Sequence, residues 1–157
     1  MSKMAVVYYS YTNNTKKIAE MIQSKTGTEL FQIDTATLYT GSYDEVVNQV
    51  QKEINAGFKP PIMELDMQLD QYDTIILGTP VWWYTLAPAV LTFLSETDLS
   101  GKKIIPFATN AGWLGHTFQD IKKLCPDSEV VSGMNIEFSE DALKTSVKAI
   151  ESWIEAI

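Results

Sequence analysis

Met4-Ala5-Val6-Val7-Tyr8-Tyr9-Ser10-Tyr11-Thr12-Asn13-Asn14-Thr15-Lys16-Lys17-Ile18-Ala19-Glu20-Met21-Ile22 changes character twice. The apolar run at its start reads as a strand buried on both faces. From Ser10 it becomes a turn rich in hydroxyls and amides, and from Asn14 it takes on helical spacing. Strand, polar turn and helix start together form the geometry of a phosphate cradle. The first N–H groups of a helix have no partner inside it and carry positive partial charge, so they attract anions. The hydroxyls of Ser10, Thr12 and Thr15 add further donors.

The same alternation continues along the chain. Gly27 ends the first helix, Glu29 to Ile33 reads as a second strand, and Tyr43 to Ala56 as a helix with Val46, Val47, Val50 and Ile54 on one face, stopped by Gly57. Pro60-Pro61 breaks any helix in the following stretch, which reads as a loop or short edge element. Thr74 to Gly78 is a buried strand, Pro88 to Ser95 a helix, and Lys102 to Ala108 a strand with one expected ladder gap at Pro106. His116 to Leu124 is helical. Ser128 to Val131 is a fifth strand, extended after a break by Gly133 to Ile136. Ser139 reads as the cap of a last helix, with Glu140 and Asp141 in its first turn and a stripe of Leu143, Val147, Ile150 and Ile154. Five strands alternating with helices predict an α/β fold with a parallel sheet covered on both faces, formed by residues 1–157 as one domain.

Bulk properties narrow the function. The net charge of −8 opposes binding to nucleic acid or to an anionic membrane and suits a partner with a basic face. All 12 basic residues are lysines, which excludes chemistry built on a guanidinium fork. The single cysteine, Cys125, excludes an internal disulfide or a dithiol motif. With no signal-peptide pattern and no apolar run long enough to span a bilayer, a cytoplasmic location is expected. A phospho-receiver needs acidic residues where Tyr9-Ser10 and Gly78 stand. A cysteine-phosphatase loop needs an arginine where Val131 follows Cys125.

In a parallel sheet, ligands bind beyond the carboxyl ends of the strands. Three loops meet there: Ser10 to Thr15; Thr79-Pro80-Val81-Trp82-Trp83-Tyr84; and Thr109-Asn110-Ala111-Gly112-Trp113-Leu114-Gly115-His116. They hold three of the four tryptophans. Indoles beside a phosphate cradle suggest a slot for a flat ring, and Gly112 and Gly115 allow backbone to approach its edge. A mononucleotide with a large planar base fits that description.

These loops, in this order, resemble the flavodoxin family. Its first loop is similar to Ser10-Tyr11-Thr12-Asn13-Asn14-Thr15, with Asn13 where the family has glycine. A subgroup with a Gly-x-Pro-x-Trp-Trp second loop resembles Gly78-Thr79-Pro80-Val81-Trp82-Trp83, and Asp98-Leu99-Ser100-Gly101-Lys102 is similar to that subgroup as well. The resemblance implies a flavodoxin-like three-layer sandwich with a five-stranded parallel sheet in the order 2-1-3-4-5. It implies flavin mononucleotide (FMN) as cofactor, its phosphate held by Ser10, Thr12, Asn13, Asn14 and Thr15. Thr79, Pro80 and Val81 would belong to the ring loop, Trp82 or Trp83 would flank one ring face, and Trp113 the other. Thr109, Asn110, Ala111 and Gly112 would line the pyrimidine edge. The implied function is low-potential electron transfer to redox partner proteins. The alternatives are an FMN-dependent NAD(P)H reductase of quinones or similar acceptors, and a flavodoxin-like domain that has lost FMN.

Overall fold

The computed structural model describes residues 3–157, so Met1 and Ser2 of the expected 1–157 domain lie outside it. In chain order the elements are β1 (Met4–Tyr8), α1 (Asn14–Thr26), β2 (Glu29–Gln32), α2 (Tyr43–Ala56), β3 (Thr74–Trp82), β4 (Thr85–Leu86), α3 (Pro88–Glu96), β5 (Lys103–Asn110), α4 (Thr117–Leu124), β6 (Glu129–Val130), β7 (Met134–Ser139), β8 (Ala142–Leu143) and α5 (Val147–Glu155). A 3₁₀ turn at Leu69–Gln71 leads into β3.

The fold is flavodoxin-like: a mostly parallel sheet flanked by helices. Its eight strands run β2-β1-β3-β5-β7-β8, with β4 beside β3 and β6 beside β5. Five strands were expected. The additional ones are β4 and β8, which close antiparallel hairpins, and the division of the last parallel strand into β6 and β7. That division falls at Pro106. β6 pairs Lys103 and Ile104, β7 pairs Phe107 to Asn110, and the chain bypasses the residue that has no N–H to give.

Alternation along the strands makes two cores. Ala5, Val7, Ile75, Leu77 and Ile104 pack with Ala89, Val90 and Phe93 of α3 and Ile121 of α4. Val6, Tyr8, Ile76, Ile105 and Phe107 pack with Ile18, Ala19 and Ile22 of α1 and Ile150 and Ile154 of α5. Gly78 is required by the second layer, because a Cβ there would lie 2.3 Å from the Phe107 ring.

The end of the chain corrects one expectation. Ser139 does not cap a helix; it closes β7, and Glu140-Asp141 form the turn to β8, which contains Leu143. The last helix starts later, capped by Ser146, whose hydroxyl accepts the Ala149 N–H at 3.0 Å. Ser-Glu-Asp satisfies a capping pattern locally, but the end of β7 has a free ladder edge, and pairing with β8 covers it. No described helix is long and apolar enough to cross a membrane.

Candidate functional site

The carboxyl ends of β1, β3 and β5 meet around a cavity of about 490 Å³, within the range usual for cofactor sites. Thr12, Asn14, Thr15, Pro80, Val81, Trp82, Trp83, Thr109, Asn110 and Ala111 line it. The three segments are therefore brought together, although not every candidate residue reaches the cavity.

The cradle is built by the backbone. α2 and α5 begin with serine hydroxyls that accept an N–H of the first turn. α1 begins at Asn13, in the left-handed region at φ 73°, whose own side chain makes no cap. Asparagine is among the few residues that take this conformation readily, so it serves where the family has glycine. The Ser10 hydroxyl accepts the Lys16 N–H at 3.2 Å, which sets the loop against the helix. Ser10 and Asn13 thus shape the cradle without lining the cavity.

Thr15 and Thr109, both buried, share a hydrogen bond at 2.7 Å that joins the first loop to the third. Two hydroxyls carry two hydrogens and this bond uses one, so one remains for a ligand oxygen. The Asn14 amide donates to the Glu140 carbonyl at 2.7 Å, while its buried Oδ1 has no partner among the described residues. A buried acceptor without a donor is costly. Ligand hydroxyls, such as those on the ribityl chain of a flavin nucleotide, are donors of the kind it lacks. The Asn14 and Thr15 N–H groups, which Ser10 leaves for a phosphate, and an orphaned acceptor for a polyol form a set that fits FMN.

The second segment is not a loop throughout. Thr79 to Trp82 continue β3, and Trp83-Tyr84 form a two-residue turn into β4. Both turn residues have positive φ, 50° and 70°, at positions that favour Asn-Gly. Two bulky aromatics held there store strain of the kind that concentrates at functional sites. Gly115 makes room for them: the Tyr84 carbonyl accepts the His116 N–H at 2.8 Å, and a Cβ on Gly115 would lie 2.3 Å from that oxygen. The close approach expected between Gly115 and a ligand is made to this turn instead. Thr79 is fully buried. Its hydroxyl donates to the Pro80 carbonyl and accepts the Ala87 N–H, which ties β3 to the start of α3 and keeps Thr79 off the cavity wall.

The indoles have separate environments. Trp82 is held edge-on by Tyr9, Tyr11 and Tyr39, with centroids 5.7, 5.7 and 5.6 Å away. Trp83 donates its indole N–H to the Val47 carbonyl of α2 at 3.2 Å. Trp113 is 67% exposed, packs on Tyr84 at 5.7 Å and does not line the cavity, so no second tryptophan wall faces Trp82 across it. Gly112 also stands off the cavity wall; its N–H is taken by the Asn110 side chain at 2.9 Å. The other part of the Asn110 amide donates to Asn135.

The sequence reading missed one wall and one end of the cavity. Tyr43, Val46, Val47 and Val50 of α2 form the wall, Tyr11 adds to the rim, and Phe138 and Glu140 of the β7–β8 hairpin form the end. The valines were visible as one face of a helix, with nothing in the sequence to say what that face lies against. Behind Trp82, Tyr39 donates to the buried Glu53 carboxylate at 2.7 Å, and Gln49 donates to its other oxygen at 3.0 Å. Burial, and then Glu53, push the Tyr39 phenol well above its ordinary value; burial does the same to Tyr9. Both rings stay neutral. His116 is exposed and pairs with Asp120 in α4.

Comparison with known proteins identifies the family and the fold. A sequence model described as Flavodoxin matches residues 3–156. A protein of Bacteroides eggerthii described as a candidate flavoprotein is 29% identical, with a TM-score of 0.84, over 100% of this chain and 98% of its own. A flavoprotein of Lactobacillus acidophilus, solved in complex with FMN, is 23% identical with a TM-score of 0.76, over 86% of this chain and 93% of its own. A WrbA-like flavodoxin of Agrobacterium tumefaciens is 21% identical with a TM-score of 0.66, over 98% and 91%. No curated protein matches the chain.

Proposed function

Because this chain belongs to the flavodoxin family, we propose that it binds FMN in the cavity between α1, α2 and the ends of β3 and β5, and that it works as a low-potential electron-transfer protein. The observation that carries this reading is the start of α1: left-handed Asn13 makes no cap of its own, Ser10 takes only the Lys16 N–H, and an Asn14 acceptor is buried without a donor among the described residues. Bound FMN supplies reversible one- and two-electron chemistry.

The chain's own residues bind, orient and shield. N–H groups after Asn13 hold the phosphate, and Thr15 and Thr109 keep the first and third segments in register around it. Trp82, fixed by three tyrosine edges, is a preorganised wall for the ring. Val46, Val47 and Val50 exclude water along the α2 wall. Fewer water dipoles and a net charge of −8 disfavour added negative charge, which makes the reduced protein a strong donor. Among the described residues that line the cavity, Glu140 is the one carboxylate, and no histidine or lysine joins it. Redox partners with a basic docking face fit this charge.

The test is an absorbance and fluorescence titration of flavin-free protein with FMN, followed by anaerobic addition of NADH or NADPH to the loaded form. Saturable FMN binding without rapid bleaching supports the carrier. Rapid bleaching would instead make the protein an FMN-dependent reductase, and absence of binding would make it a fold that has lost its flavin.

A further inference from the structure

We propose that Glu140, at the tip of the β7–β8 hairpin, is a selectivity residue of the cavity: its carboxylate opposes the charge of the phosphate and so sets how strongly the protein prefers FMN over riboflavin. This inference rests on the reading of the cavity as a flavin site.

Three observations converge on Glu140. First, the hairpin tip is fastened over the start of α1. Asn14 donates to the Glu140 carbonyl at 2.7 Å, and the Lys17 ammonium donates to the Asp141 carbonyl at 3.3 Å. Glu140 lines the same cavity as Thr12, Asn14 and Thr15. Second, Ser139 pairs with Ala142, which leaves Glu140-Asp141 as a two-residue turn, and Glu140 has φ 55°. Glycine suits a positive φ at the first position of such a turn, and a glutamate held there is strained. Turn formation alone does not account for this side chain. Third, among the described residues the carboxylate makes no ion pair, and the chain has no arginine to supply one; the Lys17 ammonium is bonded to the neighbouring Asp141 carbonyl instead.

A dianionic phosphate in this cradle is attracted by neutral N–H and O–H dipoles and by the Lys17 ammonium at the tip, and the Glu140 carboxylate opposes it. Riboflavin, which has the same ring and polyol but no phosphate, feels neither effect. The hairpin thus lowers the advantage of the phosphorylated flavin without touching the ring.

The experiment measures dissociation constants of FMN and riboflavin for the wild type, Glu140→Gln and Glu140→Gly by quenching of flavin fluorescence at low and high salt. Glu140→Gln is expected to bind FMN about tenfold more tightly at low salt, with riboflavin unchanged and the gap narrowing at high salt. Glu140→Gly, which relieves the strained φ, should fold with no lower melting midpoint and show the same gain for FMN. Equal changes for both flavins, or no change for FMN, would overturn the proposal and leave the tip a structural turn. Loss of flavin binding by Glu140→Gly with its fold intact would do the same. If the wild type binds riboflavin but not FMN, the cradle assignment falls and the proposal with it. If it binds neither, the flavin reading itself is wrong.

Discussion

Trp82 and Trp83 are adjacent in the chain and differ in what holds them. Trp82 belongs to one packed core through Tyr9, Tyr11 and Tyr39, whereas Trp83 is 38% exposed and contributes one hydrogen bond to α2. Trp82→Ala should destabilise the flavin-free protein by about 3 kcal/mol, the cost of an aromatic cavity. Trp83→Ala should cost about 1 kcal/mol. Chemical denaturation of both variants checks this; equal losses would refute the difference in environment. At the cradle, Thr12→Asp places a carboxylate where a phosphate is expected. FMN affinity should fall at least about tenfold while riboflavin binding changes far less, as read by titration with each flavin. Ser10, Asn13, Thr79 and Gly112, expected to touch the cofactor, do not line the cavity, and the contacts they make shape backbone. A residue type shows what a side chain can bond, but not whether a backbone group nearby has already taken it.

The β3–β4 hairpin is where an element departs most from its local signals. Trp83-Tyr84 carries none of the asparagine or glycine that marks a two-residue turn, so Thr79 to Tyr84 reads as a loop. The register Val81 to Leu86 and Trp82 to Thr85 makes it a hairpin, supported from below by Gly115. Gly115→Ala should lower stability by at least about 2 kcal/mol, because its φ of 62° and the 2.3 Å approach to the Tyr84 carbonyl both resist a Cβ. A thermal melt tests this, and an unchanged midpoint would show the turn to be free of the glycine. The opposite error occurred at Ser139, where a good local capping pattern lost to the pairing of β7 with β8. By contrast, α2 matches its predicted bounds, because Ser42, Glu45 and Gly57 are start and stop signals that depend on no distant partner.

For the molecule as a whole, the buried phenols predict an alkaline limit. Tyr9 and Tyr39 titrate higher in the folded protein than their ordinary value of 10.0, chiefly through burial. A group with a raised folded pKa contributes its full stability below the unfolded value and loses it as pH rises beyond. Stability should therefore hold to about pH 10 and decline above it, and Tyr39→Phe should flatten the decline in denaturation curves. The net charge of −8 gives a second expectation: association with a basic redox partner should slow as salt increases.

The α/β alternation, the polar turn from β1 into α1, the ladder gap at Pro106 and the family resemblance were legible from residue order, because strand periodicity, helix caps and the missing proline N–H are local properties of the chain. Tertiary contacts alone decided that α2 walls the cavity, that Trp82 lines it while Trp113 packs on Tyr84, and that Glu140 comes to lie over the start of α1. Those contacts join residues far apart in the chain. An apolar stripe or an indole is equally suited to a core, a cavity wall or a neighbouring ring until the sheet determines which surface lies opposite.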